Sequence, residues 1–477
     1  MSRTTLQREW SLVPLLAAST VVLAQSARQP DWTRLEAETM RHFQALVRLD
    51  TSNPPGNEVL VTDYLKQVLE KEGIPVQIFA SEPSRPNLVA RIRGSGKKPP
   101  ILYMGHTDVV TVDPKKWTFP PFSATRNGGY VYGRGALDDK PHVVAGLMML
   151  LELKRLNVAL DRDVIFLAES GEEGTTGPGI DFMTREHAAE IRAEYCFAEG
   201  GGVSRVDGRT RFASVQTTEK VPRPIELTAT GPSGHASVPL KGNAIARLSA
   251  ALAALSAWRV PIRLNQTTRE YFSRMADISA GADAQRFRAV LTPESPAAAA
   301  ADDYFLRSEP RFASMLRTSL SPTIVQGGYR VNVIPSEARA TVDVRMVPDE
   351  DPAVFLEAVR KVINDPTVSV AYTTTTASAR PRAAPARLDS EAFRAIESFL
   401  AQDYDTVALP TMGTGATDMA QVRSIGLQCY GIGPAADVED GPKGFGAHSD
   451  QERILETELH RFVRFSWNLV VGLARSR

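Results

Sequence analysis

Short apolar runs that stop at glycine or proline recur along the chain and predict buried strands. The first extends from Pro100 to Gly105 and is followed by His106. A continuous run this short is typical of a strand in a mostly parallel sheet, which is covered on both faces. Three further runs of this kind lie at residues 163–169, 193–198 and 427–431. Between them the almost wholly apolar segment 143–156 predicts a buried helix. The alternation predicts an α/β domain.

The alternation changes character between residues 223 and 375. Strand and helix patterns follow the order strand, helix, strand, strand, helix, strand, at residues 224–230, 243–258, 323–325, 338–344, 352–363 and 368–372. That order predicts a small α+β, ferredoxin-like domain inserted into the first domain. Residues 264–318 are interpreted as additional helical material. The α/β domain is therefore predicted to consist of residues 28–222 and 376–477, and the inserted domain of residues 223–375.

The first 27 residues differ from the rest of the chain. Arg3 and Arg8 precede an apolar run from Leu12 to Ala24, which is too short to span a bilayer as a mature helix. A charged start, a short apolar run and small residues near a cleavage point are typical of a secretory signal peptide. The pattern predicts secretion or export to the periplasm, with no stable membrane partner after processing. An uncleaved membrane anchor is the alternative.

Composition and charge narrow the classes of function. Hydrophobic residues make up 43% and charged residues 23% of the 477 residues, as in ordinary soluble enzymes, and 55 basic residues balance 55 acidic ones. Without a net charge the chain has no general attraction for polyanions, so no nucleic-acid partner is expected. Cys196 and Cys429 lie inside predicted strands and are expected to be buried free thiols.

Residues that bind metals in other proteins follow the predicted strands. They are His106, Asp108, Glu172, Glu173, Glu199 and, in the glycine-rich loop after the last run, His448. Open α/β sheets bind their ligands at the carboxyl ends of the strands. Residues two apart in an extended chain point to the same side, so His106 and Asp108 are predicted to converge. A carboxylate beside a metal-binding imidazole fixes its tautomer. The pattern predicts a metal centre.

Asp138 and Asp139 come directly before the apolar helix. Carboxylates in that position cap the free N–H groups of a helix and interact favourably with its dipole. One of the two acids can cap the helix while the other points at the metals.

The order of the motifs resembles that of a known enzyme family. The motifs are His106-Thr-Asp108, Gly133-Arg-Gly-Ala-Leu-Asp-Asp-Lys140, Glu172-Glu173-Gly, Glu199-Gly-Gly, Gly231-Pro-Ser-Gly-His235 and His448. From about residue 35 to its end, the chain resembles the dizinc amidohydrolases of the aminoacylase, glutamate carboxypeptidase and acetylornithine deacetylase family. The stretch from His106 through Trp117-Thr-Phe-Pro-Pro-Phe to Lys140 is most similar to its carboxypeptidase S and N-acyl-amino-acid hydrolase branch.

The resemblance implies a mostly parallel-sheet zinc-hydrolase domain and a lid that also dimerises in many relatives, so a homodimer through the lid is expected. It implies two zinc ions, with cobalt or manganese as alternatives. One zinc would be held by His106, Asp138 and Glu199. The other would be held by Asp138, Glu173 and His448, with Asp138 bridging. The other implied roles are orientation of His106 for Asp108, general base for Glu172 and oxyanion donor for His235.

Two residues of the predicted lid are candidates for substrate binding. Asn332 precedes a predicted strand and Arg345 ends one. Both match positions that in relatives grip the substrate's carboxylate and scissile carbonyl. An arginine fork reads both the charge and the plane of a carboxylate. The expected substrate is an N-acyl amino acid or short peptide with a free carboxylate. A turn-forming Asn332 and a surface ion pair for Arg345 are the alternative.

Other classes of function fit the sequence less well. A serine hydrolase would need a motif such as Gly-x-Ser-x-Gly, which Gly231-Pro-Ser-Gly-His235 does not match. A non-catalytic, metal-dependent small-molecule binding protein could use the same scaffold. A pure binder would have no need of Glu172, and its presence favours an enzyme.

Overall fold

A computed structural model describes residues 29–373 and 380–475. The predicted signal peptide and the predicted boundary at 375 and 376 lie outside the described residues. Within the described ranges, no helix is long and apolar enough to cross a membrane. In chain order the helices are α1 Trp32–Val47, α2 Val59–Lys71, α3 Lys140–Leu156, α4 Ile180–Glu186, α5 Ala188–Ile191, α6 Ala244–Ala257, α7 Gln266–Ile278, α8 Gly281–Ala289, α9 Pro296–Ser308, α10 Pro310–Met315, α11 Pro352–Ile363, α12 Glu391–Tyr404, α13 Met419–Ser424 and α14 Glu456–Ala474.

The strands form one large sheet, one smaller sheet and three short pairings. In chain order they are β1 Ser52–Asn53, β2 Val76–Phe79, β3 Asn87–Ile92, β4 Ile101–His106, β5 Val109–Val110, β6 Thr125–Asn127, β7 Tyr130–Tyr132, β8 Val164–Glu169, β9 Tyr195–Ala198, β10 Gly202–Val206, β11 Arg209–Glu219, β12 Val221–Pro222, β13 Ile225–Thr230, β14 Gly234–His235, β15 Ser319–Gly327, β16 Val333–Ile334, β17 Glu337–Met346, β18 Val368–Tyr372, β19 Ala408–Gly413, β20 Gln428–Gly431, β21 Ala435–Asp437 and β22 Arg453–Leu455.

The large sheet has the order β2-β3-β8-β4-β9-β20-β11-β10-β21, with β19 beside β11. Its central strands β8, β4, β9 and β20 run parallel, as their continuous apolar runs predicted. They are fully buried because helices cover both faces. The cysteines of β9 and β20 are free and buried, and Cys196 lies opposite Cys429.

The smaller sheet confirms the predicted inserted α+β domain, called the lid here. Its strands follow the order β18-β13-β17-β15, all antiparallel, with β12 also pairing with β17. This is the strand order of a ferredoxin-like fold. Helices α6 and α11 cover one face and bury residues such as Leu248 and Phe355 against it.

The helices α7 to α10 are called the insertion, and they pack on the large sheet. Their aromatic side chains, including Phe272 and Phe305, form one core with Leu409 of β19. Hydrogen bonds join the same surfaces, because Thr217 of β11 contacts Thr267 at 2.9 Å. The insertion is therefore packed on the large domain, although in the sequence it lies between strands of the lid.

The last helix begins at Glu456. Directly before it, Arg453–Leu455 form β22, which pairs with β7. The short strand holds the preceding loop, which carries His448, against the body of the large domain.

Candidate metal centre

The candidate site lies at the carboxyl ends of three adjacent parallel strands. His106 is the last residue of β4, and Glu199 directly follows β9. Glu172 and Glu173 lie in the loop after β8. Because β8, β4 and β9 are neighbours, their ends deliver these side chains to one point. The loop before α3 adds Asp138.

Asp138 lies between the two histidines of the site. Its Oδ1 is 2.9 Å from Nε2 of His106, and its Oδ2 is 3.2 Å from Nε2 of His448. His448 Nε2 is also 2.8 Å from Oε1 of Glu173, and His106 Nε2 is 3.9 Å from Oε2 of Glu199. Asp138 is therefore within hydrogen-bond distance of both histidines.

The donor atoms are close enough to bind cations. One ligand atom each of His106, Asp138 and Glu173 lie within 4.8 Å of one another. The same holds for His106, Glu172 and Glu199. Imidazole nitrogens and carboxylate oxygens are the donors that zinc and related divalent ions take in proteins. The residues present therefore fit a divalent metal centre.

The pKa shifts in the cluster show that its carboxylates are stabilised by positive charge. Burial, with repulsion from Asp138, raises the pKa of Glu199 well above its usual value. Hydrogen bonds to Asp138 and Glu173 raise the pKa of His448 to about 10. Burial opposes ionisation of Asp138, but hydrogen bonds from His106 and His448 hold its pKa well below the usual range. In the polypeptide alone, protons on the histidines offset the carboxylates, and divalent cations would replace that charge.

Asp108 organises the loop that carries both glutamates. Its Oδ1 accepts hydrogen bonds from the N–H groups of Gly171 and Glu172 at 3.1 and 3.2 Å, and its Oδ2 accepts from Glu173 at 3.1 Å. His106 Nδ1 lies 3.0 Å from the main-chain carbonyl of Asp108 and 3.5 Å from its carboxylate. The nearer partner of His106 is therefore the Asp108 carbonyl, while the carboxylate holds the loop.

Two buried side chains that were not predicted as site residues, Glu452 and Lys140, position Asp138 and the end of β4. Glu452 accepts hydrogen bonds from the N–H groups of Leu137 and Asp138 at 2.7 and 3.1 Å, so it positions the central carboxylate. Lys140 donates to the carbonyl of Thr107 at 2.5 Å and thereby holds the end of β4. Neither follows a strand in the sequence, so no pattern identified them.

Arg380 and Asp418 lie close to Glu172. Arg380 Nη2 is 3.7 Å from Glu172, and its Nη1 is 3.6 Å from Asp418. Burial raises the pKa of Asp418 to about 7. Burial and the charge of Asp418 raise the pKa of Glu172 well above its usual value. Arg380 comes from the segment that leads from the lid back to the large domain, and the sequence analysis did not identify it.

The lid residues His235 and Asn332 lie together, away from the cluster. His235 in β14 pairs with Val333 of β16, and the carbonyl of Asn332 accepts a hydrogen bond from the N–H of Ala236 at 3.1 Å. Both side chains are exposed. In the described ranges, their hydrogen bonds are made to lid residues alone.

Arg345 is tied to its own strand. Its Nε lies 2.9 Å from Oδ2 of Asp343, and the side chain is 35% exposed. Its strand neighbours are Pro222 and Ser319, which places it where the lid meets the large domain. The arrangement contains the ion pair that was the alternative interpretation, and no described contact joins Arg345 to the metal cluster.

A mostly parallel sheet with a histidine and carboxylate cluster at the carboxyl ends of its strands, joined to an α+β lid, is an arrangement suited to a metal-dependent hydrolase. The profile of Peptidase family M20/M25/M40 matches residues 102–470. The chain belongs to this family, as the resemblance of its motifs predicted, and it is a hydrolase.

Curated relatives agree with this assignment. A probable succinyl-diaminopimelate desuccinylase of Staphylococcus aureus is 29% identical over 69% of this chain and 74% of its own length. The probable carboxypeptidase S-like 2 of Dictyostelium discoideum is 29% identical over 78% of this chain and 71% of its own. The human N-fatty-acyl-amino acid synthase/hydrolase PM20D1 is 28% identical over 56% of this chain and 53% of its own.

Solved structures share the fold over nearly the whole chain. The M20 family metallo-carboxypeptidase Sso-CP2 from Sulfolobus solfataricus superposes with a TM-score of 0.68 at 20% identity, covering 91% of this chain and 98% of that one. A dinuclear metal-binding peptidase of the family from Bacillus subtilis gives 0.59 at 14% identity, covering 92% and 99%. At these identities the likeness concerns the fold.

Proposed function

We propose that this hydrolase cleaves the amide bond beside a free carboxylate in N-acyl amino acids or short peptides. Two zinc ions are proposed as the cofactor. The first would be held by His106, Asp138 and Glu199, and the second by Asp138, Glu173 and His448. When bound, such ions lower the pKa of water and polarise a carbonyl group.

Glu172 is proposed as the general base. Its carboxylate lies in the cluster with His106 and Glu199 and is not part of either proposed ligand set. It would accept a proton from the attacking water and return it to the leaving nitrogen. The observation that carries the proposal is that the Glu172 carboxylate lies beside His106 and Glu199 although neither proposed ligand set needs it, since a binding protein has no use for such a carboxylate.

His235 is proposed to donate a hydrogen bond to the oxyanion from the lid. Its Nδ1 accepts the N–H of Ser237 at 3.1 Å, so this nitrogen carries no proton in the neutral ring. The proton is then on Nε2, which can donate. Donors aimed at a developing oxyanion are among the strongest contributors to acyl-transfer catalysis.

The proposed substrates agree with the names of the relatives. These relatives are a desuccinylase, a carboxypeptidase S-like protein and an N-fatty-acyl-amino acid hydrolase, and each name implies an amide of an amino acid. The test is a hydrolysis screen of N-acyl amino acids, dipeptides and their C-terminal amides, with metal content measured in parallel. We expect cleavage of the acids, loss of activity with a chelator and recovery with zinc. Activity that survives complete metal removal would refute the metal-dependent proposal.

We further propose that two copies pair through the lid. Strand β15 is an edge of the lid sheet, and Ile324 and Val325 on it are 51% and 63% exposed. An exposed edge with apolar side chains is suited to pairing with a second copy about a twofold axis. Val325→Lys should convert a dimer to a monomer in light scattering, whereas Val354→Lys, at an exposed valine of α11, should not. A wild-type monomer would refute this pairing.

Export remains a proposal from the sequence of residues 1–27. The expected mature chain begins near Gln25, as the charged start and short apolar run predict. N-terminal sequencing of protein from a periplasmic or secreted fraction tests it. An intact N-terminus in a membrane fraction would support the anchor instead.

A further inference from the structure

A cavity of about 340 Å³ opens beside the metal cluster. Its wall includes the proposed ligands Asp138 and Glu199 and the glycine-rich segments 200–202 and 432–434. Small-molecule sites have volumes of about 300–1,000 Å³, so the cavity can hold a small substrate. Glycines in the wall let a substrate approach the backbone closely.

Arg311 of the insertion also lines this cavity. Among the described residues of the wall, it is the one arginine or lysine. The acidic residues of the wall are Asp138, Asp139, Glu199 and Asp437. A negatively charged group entering this cavity would therefore find its positive partner on the polypeptide at Arg311.

The guanidinium of Arg311 is exposed and makes no hydrogen bond or ion pair with another described residue. Two other arginines of the insertion are paired, since Arg274 contacts Glu397 at 2.6 Å and Arg286 contacts Asp283 at 2.7 Å. An unpaired guanidinium keeps its fork of donors available for a planar anion.

The anchoring of the insertion fixes Arg311 relative to the metal cluster. Arg274 donates to the carbonyl of Ala408 in β19 at 2.8 Å, and the aromatic core of the insertion includes Leu409. Arg311 therefore belongs to the same rigid packing as the large sheet. Arg345, in contrast, belongs to the lid and is paired with Asp343.

From these observations we infer that Arg311 is a specificity-determining residue that binds a carboxylate of the substrate. The inference rests on the proposed function and extends it to a residue of the insertion. Two different carboxylates of a substrate can bind Arg311. One is the α-carboxylate of the amino-acid half, and the other is a terminal carboxylate on the acyl half, as in a succinyl group.

The first experiment compares the specificity constants of the wild type and Arg311→Ala on two matched substrate pairs. N-acetyl-leucine against N-acetyl-leucinamide tests the α-carboxylate. N-succinyl-leucinamide against N-pentanoyl-leucinamide tests the acyl carboxylate. We expect a loss of about tenfold or more for the charged member of one pair and little change for its neutral partner, because only the charged member loses a charge-assisted contact. Arg307→Ala, at an exposed arginine of α9 outside the cavity wall, should leave every value unchanged.

The second experiment measures binding without turnover. Dissociation constants of leucine, leucinamide, succinate and succinamide are determined by calorimetry on the metal-loaded wild type, Arg311→Ala and Arg311→Lys. We expect Arg311→Ala to weaken the binding of only one carboxylate ligand, either leucine or succinate, and to do so for the half of the substrate that the kinetics identified. Arg311→Lys should restore part of that affinity. Equal losses of affinity for ligands with and without a carboxylate, or no loss, would refute the inference. If the wild type hydrolyses none of the four substrates, the proposed function fails, while the binding comparison still tests Arg311.

Discussion

Glu172 and Glu173 are adjacent in the chain but occupy different parts of the site. Glu173 contacts His448 at 2.8 Å, whereas Glu172 lies near His106 and Glu199 with Arg380 behind it. Glu172 and Glu173 lie in a turn after β8, and their side chains reach different partners, so one loop can supply both a ligand and a base. The two glutamates should therefore respond differently to removal of their charge.

Replacement of Glu172 by glutamine should separate catalysis from metal binding. The amide keeps the shape of the side chain but accepts no proton, so turnover should fall by about 10²-fold or more. Two metals per chain should remain, because Glu172 lies outside the proposed ligand sets. Metal analysis and kinetics on Glu172→Gln, with the exposed Glu186→Gln as control, measure both. Loss of one metal would identify Glu172 as a ligand.

Asp108 should control the affinity for metal without binding it. Its two oxygens accept N–H groups from Gly171, Glu172 and Glu173 and the side-chain amide of Asn53. Asp108→Asn replaces one acceptor by a donor that faces these N–H groups. Metal affinity should fall about 10–100-fold, as for other residues that support a ligand. Chelator competition measures it against the exposed Asp113→Asn, and unchanged affinity would contradict the role.

The sequence predicted those site residues whose type is unusual for their position. Glu199 and His106 end apolar runs, where a structural strand would need only a turn former, so their chemistry was visible. Arg311, Arg380 and Glu452 come from segments with no such pattern. Their roles depend on which distant segments pack together, and local periodicity carries no information about that.

At the scale of elements, α3 packs so closely on β8 that one position excludes a methyl group. A Cβ at Gly146 would overlap the ring of Phe166, which is fully buried. Alanine favours a helix over glycine by about 1 kcal/mol, but overpacking a fixed core costs about 1–3 kcal/mol. Gly146→Ala should therefore destabilise the protein by up to about 2 kcal/mol, on the difference of these terms.

Chemical denaturation of Gly146→Ala, Phe166→Leu and the double variant checks this packing. A smaller residue at 166 makes room for the methyl group, so the double variant should be less destabilised than the sum of the single ones. Gly415→Ala is the control, because a Cβ there meets nothing within 4 Å. An increase in stability for Gly146→Ala would show that propensity outweighs packing at this position.

Predicted strands were found where the sequence has a continuous apolar run or a clear strand pattern, and β11, which has neither, was missed. The four apolar runs became β4, β8, β9 and β20. In contrast, β11 has the sequence Arg209-Thr-Arg-Phe-Ala-Ser-Val-Gln-Thr-Thr-Glu219 and gave no apolar run. It is a strand because β10, β19 and β20 pair with it, which is a consequence of tertiary structure.

At the scale of the whole molecule, the large sheet, the lid and the insertion meet at Lys220. This fully buried residue lies between β11 and β12. Its Nζ donates to Ser314 of the insertion at 2.8 Å and to Ser319 of the lid at 3.0 Å. Burial, with the charges of Arg317 and Arg345, lowers the pKa of Lys220 to about 7, and Asp343 opposes the shift only in part.

Lys220 should therefore make stability depend on pH. The pKa of an unfolded lysine is about 10.4, so between about pH 7 and 10.4 the unfolded chain binds more protons than the folded one. Lys220 then contributes a rise in unfolding free energy with pH of at most about 1.4 kcal/mol per pH unit. In Lys220→Met this contribution is absent, so the stability of the variant relative to the wild type should be greatest near pH 6–7 and decline toward pH 10. Urea unfolding of both proteins across this range measures the difference, with the exposed Lys361→Met as control. Parallel stability curves for Lys220→Met and wild type would show that the lysine at the three-way junction keeps its ordinary pKa.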